Sequence, residues 1–249
     1  MLGVSSFQIA ALVLAALIAG LARGFSGFGG ALIFVPVASA LVGPRTAAPL
    51  LLVVDTVLAL GLIPGAWRRA DRAGVAGMAL GAVVGVPLGT WALARLDGLT
   101  LRWGIAALVA ALLALLASGW RYRGRPTAWT AAGVGGLAGF CSGVAQIGGP
   151  PVVAYWLGGA GPAVTVRANV ILYFAASSAL TAVSYAAGHL LTPAVLGLAL
   201  AVAPAYGTGL AAGSRLFGRA GDAVFRRLCL CLIAAAAVLS LPALDGVLR

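Results

Sequence analysis

Lysine and glutamate do not occur in this chain, and charge of either sign is scarce. Only 8% of the 249 residues are charged, against roughly 25% in an ordinary soluble domain, while 62% are hydrophobic. Too few charges remain to solvate a globule of this size, which argues against a soluble enzyme or scaffold and makes lipid the solvent. The five acids are all Asp and the sixteen bases all Arg, a bias that matches high-GC coding and carries no functional meaning. A net charge of +11 would suggest nucleic acid in a soluble protein. Here the arginines lie between apolar segments, where they set topology, and no nucleic-acid partner is expected.

Cysteine and histidine are as sparse. Cys141, Cys229 and Cys231 sit in apolar stretches without CxxC spacing, and the sole histidine, His189, has no second His, Cys or Glu nearby. Neither a metal site nor a cofactor is expected. There is no Ser-His-Asp set, HExxH, Walker loop or strand-turn-helix context for a dinucleotide, so no enzyme activity is expected either. No basic stretch precedes the first apolar run at Phe7, which speaks against a cleavable signal peptide.

What the chain has is apolar runs, at about 7–22, 30–43, 46–66, 73–94, 99–119, 128–143, 150–160, 163–187, 192–213 and 224–244, punctuated by Arg, Gly and Pro. A full span takes about 20 residues, and the first two runs of each half fall short of it. The expectation is an all-α polytopic membrane protein of two inverted repeats, each with two short broken or re-entrant helices and three long transmembrane helices. Trp67, Trp120 and Trp129 flank Arg-containing loops, as an interfacial aromatic belt does.

The repeat is visible in the residues. The run Gly20-Leu-Ala-Arg-Gly-Phe-Ser-Gly-Phe-Gly-Gly30 aligns with Gly139-Phe-Cys-Ser-Gly-Val-Ala-Gln-Ile-Gly-Gly149 at an offset of 119, with four glycines coinciding. Gly43-Pro44 then falls against Gly161-Pro162, Gly89-Thr90 against Gly207-Thr208, and Leu101-Arg102 against Phe225-Arg226. Residues 1–120 form the first half, 121–127 the joint loop and 128–249 the second. With an odd number of segments per half the second half is inverted. Twelve arginines (23, 68, 69, 72, 121, 123, 125, 167, 215, 219, 226, 227) then share one side, against four (45, 95, 102, 249) on the other. Arginine excess marks the cytoplasmic side, so the joint loop is expected inside and both termini outside.

The Gly-rich stretches, Gly24 to Gly30 and Gly143 to Pro151, each interrupt an apolar run and then restart it. A break at membrane depth survives only where protein or a polar cavity surrounds it. Pro150 and Pro151 suit the first turn of a helix, so the second stretch reads as a loop followed by a helix N-terminus, whose dipole and free amides favour an anion. Two such N-termini brought together near the midplane would form an anion site. The candidate substrate-binding residues are Ser26, Gly27, Gly29, Gly30, Ser142, Gln146, Gly148, Gly149 and Tyr155, joined by Arg167 and Asn169 at the start of the eighth segment. Close helix packing is the competing reading for the glycines. Membrane-boundary anchoring is the competing reading for Arg167 and for Arg23, which stands at the first break.

At these motifs the chain resembles the sulfite exporter TauE/SafE family of membrane permeases, which look like two repeated halves. Each half opens with a Gly-rich stretch close to G-x-x-x-G-x-G-G, and the second is followed by Pro. Here those are Gly24 to Gly30 and Gly143 to Pro150; Gln146 replaces the usual small residue, and the first stretch carries Phe28. The resemblance covers essentially the whole chain. It implies movement of sulfite, a sulfonate or another small organic anion across the bacterial inner membrane.

Asp55 is the only acid well inside an apolar segment. A charge there is costly, so a functional role is the default reading. Asp55 is a candidate proton-coupling residue; the alternative is an Asp paired with Arg or hydrogen-bonded across helices. The chain therefore reads as a secondary transporter of a small anion. A passive channel is the nearest alternative, and a thiol redox or maturation factor using the three cysteines a more distant one. The partners expected are the anion and the bilayer, with a homodimer left open.

Overall fold

The structure, a computed structural model, describes residues 5–122, 124, 127–158, 162–216 and 222–244. Helices account for the regular structure among these residues. The first half comprises α1 (Ser6–Ser26), α2 (Gly30–Val42), α3 (Pro44–Ala59), α4 (Ile63–Trp67), α5 (Arg72–Arg95) and α6 (Gly98–Ser118). A single 3-10 turn, Leu60–Leu62, joins α3 to α4, so the pair forms one apolar stretch, Pro44–Trp67. The second half comprises α7 (Ala128–Ala145), α8 (Gly149–Trp156), α9 (Ala163–Ala187), α10 (Pro193–Leu216) and α11 (Asp222–Leu239).

Seven helical stretches among the described residues are long and apolar enough to cross a membrane. The outward faces are apolar: Leu80, Val84, Leu88 and Trp91 on α5, Val183 on α9 and Leu200 on α10 are all exposed. In water such a surface would drive association, whereas in lipid it is the ordinary outer surface of a membrane bundle. The chain is thus an all-α polytopic membrane protein.

One expectation changes. The first two helices of each half were expected to be short, but of these four only α2 and α8 are. Helix α1 runs for 21 residues and α7 for 18, and both are candidate spans. Two glycines of the expected breaks, Gly24 in α1 and Gly143 in α7, are helical instead, as are Gly20 and Gly139 before them, because each lies against another helix. A Cβ on Gly20 or Gly24 would overlap the backbone carbonyls of Tyr206 or Leu210, and a Cβ on Gly143 that of Val86. The packing reading therefore holds for these four. The breaks begin later, at the left-handed residues Gly27 (φ 77°) and Gln146 (φ 60°), which are equivalent in the repeat.

The two halves interlock. Helix α1 lies along α10, and α7 lies along α5, so the first helix of each half packs on the third long stretch of the other. Likewise α3 meets α10 where α9 meets α5, and α2 meets α11 where α8 meets α6. Exchanging the halves leaves these pairings unchanged. Lipid gives no hydrophobic drive for helices to associate, so small residues that let backbones approach do the work instead. Buried tyrosines add hydrogen bonds to α7: Tyr173 donates to the Gly135 carbonyl (3.0 Å) and Tyr185 to that of Gly143 (2.8 Å).

Helix ends are closed by specific side chains. Ser5 and Gln8 form a capping box at the start of α1. Arg45, at the start of α3, donates to the carbonyls of Leu93 and Leu96 (3.1 and 2.8 Å) at the end of α5. Asp97 caps α6 by accepting from the amides of Leu99 and Thr100 (3.1 and 2.9 Å). Its hydrogen bonds from Thr100, then Leu99, hold this exposed carboxyl below the usual carboxylate range. A carboxyl depressed by folding stabilises above its unfolded-state pKa, and the gain is lost as pH falls through the lower folded-state value. We therefore expect Asp97→Ala to melt at a slightly lower temperature than wild type at neutral pH, with the gap closing in acid, and Asp97→Asn to melt close to wild type. An unchanged Asp97→Ala melting temperature at neutral pH would remove this cap from the account.

Candidate functional site

The two breaks meet. Gly27 closes α1 by donating its amide to Arg23 O (2.9 Å), and Gly29, also left-handed (φ 96°), opens α2. Such angles are open to glycine without strain, which explains both residues. In the second half Gln146 takes the matching left-handed position despite its side chain, and its Nε2 donates to Ser142 O (3.0 Å) at the end of α7. Gly148 then opens α8; a Cβ there would lie 2.5 Å from Ala138 O. Neither α2 nor α8 has a side chain capping its N-terminus; in the first turn of α2 Leu32 donates its amide back to Gly29 O (3.1 Å), which leaves those of Gly30 and Ala31 for other partners. Two residues of that turn in α8 are Pro150 and Pro151, which have no N–H. Helix α8 thus offers mostly its dipole, while α2 offers dipole and donors.

Around the meeting point lies a cavity of about 50 Å³ lined from both halves. Phe28, Gly29, Gly30 and Ala31 contribute from the first break, and Ser142, Gln146, Ile147, Gly149 and Pro150 from the second. The breaks touch: a Cβ on Gly149 would lie 3.4 Å from Phe28 Cβ and 3.6 Å from the Phe174 ring. Helix α9 adds Phe174, Ser177 and Ser178, with Ser177 buried and its hydroxyl without a hydrogen-bond partner among the described residues. One water needs about 10–15 Å³ by this measure, so the space suits a few waters or one small oxyanion.

The charged residues of the wall are Arg23 and Asp55. Arg23 Nε donates to Asp55 Oδ1 (3.0 Å) and Nη2 to Oδ2 (3.1 Å), a bidentate pair. Tyr206 of α10, almost wholly buried, donates its hydroxyl to Asp55 Oδ1 (2.7 Å). Arg23 Nη1 also donates to Gly27 O, tying the guanidinium to the first break. Its other face lies over the Phe174 ring, 5.3 Å from the centroid, a favourable cation–π position.

Of the residues singled out in the sequence, Gly29, Gly30, Ser142, Gln146, Gly149 and Asp55 line this cavity. Gly27 and Gly148 shape the breaks beside it. The side chain of Ser26 lies outside the described residues. Three others lie elsewhere. Tyr155 is at the far end of α8, stacked on Tyr122 and 3.4 Å from Thr130 Oγ1. Asn169, buried, accepts from the Asp71 amide (2.8 Å) and so ties α9 to the start of α5. Arg167 is exposed in the first turns of α9. The residues missed were Phe28, in the first break itself, and Phe174, Ser177, Ser178 and Tyr206, which lie within helices α9 and α10. Their one sequence signal was indirect: an Arg beside a glycine break and an Asp inside an apolar run each require a partner at membrane depth.

A bundle of membrane-spanning helices with two helix breaks closing on a small polar cavity is an arrangement that membrane transport proteins use. The chain belongs to the sulfite exporter TauE/SafE family, whose model matches residues 12–240. No curated protein and no solved structure matches it.

Proposed function

We propose that this chain is a secondary transporter of a small anion, sulfite, a sulfonate or a related organic anion, and that the anion binds in the cavity between the two breaks. The observation that carries this reading is the convergence of both breaks, one from each half, on a single cavity that holds a guanidinium. Two helix N-termini, the orphan amides of α2, Arg23 and the Ser177 hydroxyl together make an environment suited to an oxyanion and poor for a cation. The exchange-invariant pairing of the halves is what a twofold-related repeat gives; the arginine excess on one side, with an odd number of segments per half, favours an inverted repeat with a cytoplasmic joint loop, and the family resemblance favours the bacterial inner membrane. Rocking of one interlocked pair against the other would open the cavity to each side in turn. Candidate residues outside the cavity have positioning roles: Asn169 fixes the start of α5, and Tyr155 fixes the end of α8.

A thiol redox factor is disfavoured, since Cys141 is buried in α7 while Cys229 and Cys231 lie on α11, all three free. Gly149→Leu tests the proposal. Leucine there has room only by entering the space between Phe28 and Phe174, so saturable uptake of labelled sulfite into proteoliposomes should fall at least tenfold with the protein still folded. Wild-type uptake by folded Gly149→Leu would place the anion path elsewhere. A channel would instead give uptake that never exceeds equilibrium under any imposed gradient.

A further inference from the structure

The cavity holds one cation and one anion, and they are bonded to each other. An anionic substrate entering it meets a guanidinium already occupied. By the alignment of the halves, Arg23 corresponds to Ser142, and Asp55, in the register of Gly43 with Gly161, to Tyr173. The second half therefore has no second pair to take over, and the exchangeable charge resides in the first half alone.

Resting on the reading of this cavity as the anion site, we infer that Asp55 occupies on Arg23 the place of the transported anion, and that protonation of Asp55 releases the guanidinium to a monovalent anion. The balance of charge is what favours this. At rest the pair Arg23⁺ and Asp55⁻ is neutral. Loaded, Arg23⁺ faces the anion and Asp55 is neutral with the proton it has taken up, so the cavity is again neutral. Moving uncompensated charge through a low-dielectric wall is expensive, and this exchange avoids it in both halves of the cycle. A divalent anion would leave one negative charge over, so the device selects for monovalent oxyanions. One proton then moves with one anion in the same direction, without net charge.

The groups that face Asp55 agree with such a role. Arg23 comes from α1 and Tyr206 from α10. Toward the cavity α2 presents Gly30, Ala31 and Leu32, α7 presents Ser142, and α9 presents Phe174, Ser177 and Ser178, with no further titratable group among these. Helices α5 and α6 meet α3 away from Asp55, around Ala48 and Leu52. Asp55 is thus the acid of the cavity, and its side chain is 27% exposed, within reach of water and protons.

The experiment uses the full chain in proteoliposomes with two probes, labelled sulfite and labelled methanesulfonate. The second carries one charge at every pH used, so any pH dependence of its flux belongs to the protein. Under a pH gradient the anion should accumulate at least tenfold on the alkaline side, and an imposed membrane potential should leave that accumulation unchanged. Asp55→Asn should lose the gradient-driven accumulation while still exchanging anion for anion, with a tighter, pH-independent apparent affinity. The double variant Arg23→Gln/Asp55→Asn, which leaves no unpaired charge, should fall to the level of Gly149→Leu. Accumulation that follows potential rather than pH, or that persists in Asp55→Asn, overturns the inference, as does wild-type affinity in the double variant. If those results come with flux lost in Gly149→Leu, the cavity remains the anion site and only the exchange is wrong. If Gly149→Leu transports as wild type, the site itself is wrong. Transport of neither probe overturns the substrate class and this inference together.

Discussion

Gly85→Ala is expected to lower the stability of the folded protein by about 1–3 kcal/mol or more, while Gly104→Ala, the same change on a neighbouring helix, costs nothing. The difference lies in what each added methyl group meets. Along α5, a Cβ on Gly81, Gly85 or Gly89 would overlap the carbonyls of Ala132, Gly136 or Phe140 on α7. From α7, a Cβ on Gly135 or Gly143 would overlap the carbonyls of Met78 or Val86, and one on Gly139 would lie 2.8 Å from Ala82 Cα. These are backbone atoms of two rigid helices, so no side chain can rotate away and the helices must part along their whole contact. Gly104 is exposed on α6 with nothing within 4 Å of its Cβ position, and alanine there gains helix propensity. Reversible unfolding in mixed micelles measures both. Equal stability of the two variants would mean that α5 and α7 do not approach as closely as described.

That contrast also marks how far the sequence could be read. The apolar runs located the helices, because a membrane span must be long and free of charge, and the two glycine stretches located the breaks. Composition does not distinguish a glycine that breaks a helix from one that lets two helices touch. Gly24 and Gly27 stand three residues apart in the same motif, yet Gly24 is helical against Leu210 and Gly27 is left-handed at a helix end. The choice is made by α10, which is distant in sequence and close in space. The same holds for the cavity wall. Ser142, Gln146 and Gly149 were legible because they belong to the breaks, whereas Phe174, Ser177 and Tyr206 reach the cavity only through the packing of α9 and α10. Asn169 carried the opposite lesson. Its place at the start of the segment that follows the second break made it a candidate ligand, and its partner is the amide of Asp71, the cap of α5.

Asp55 was legible as an acid that required a partner, and the partner defines the second large prediction. Asp55→Leu is expected to cost about 3–5 kcal/mol, because it leaves the Arg23 guanidinium in a mostly protein-lined wall with its counter-charge gone. The side chains of Arg23 and Asp55 are 15% and 27% exposed, so water in the cavity screens part of this and the lower end of the range is expected. Asp55→Asn should cost less, since its amide oxygen can still accept from Arg23 or Tyr206. Removing both charges, in Arg23→Met/Asp55→Leu, should give back much of the loss, because no unpaired charge remains. What stays is the Tyr206 hydroxyl, deprived of its 2.7 Å acceptor at a buried site, an orphan costing about 1–3 kcal/mol until Tyr206→Phe is added. Unfolding measurements on the singles, the double and the triple variant therefore form a cycle with a defined sign. The double should be more stable than either single, and the triple more stable than the double. Single-variant costs that simply add would mean that Arg23 and Asp55 do not hold each other in the membrane, and the neutral resting cavity on which coupled movement of a proton and an anion depends would lose its foundation.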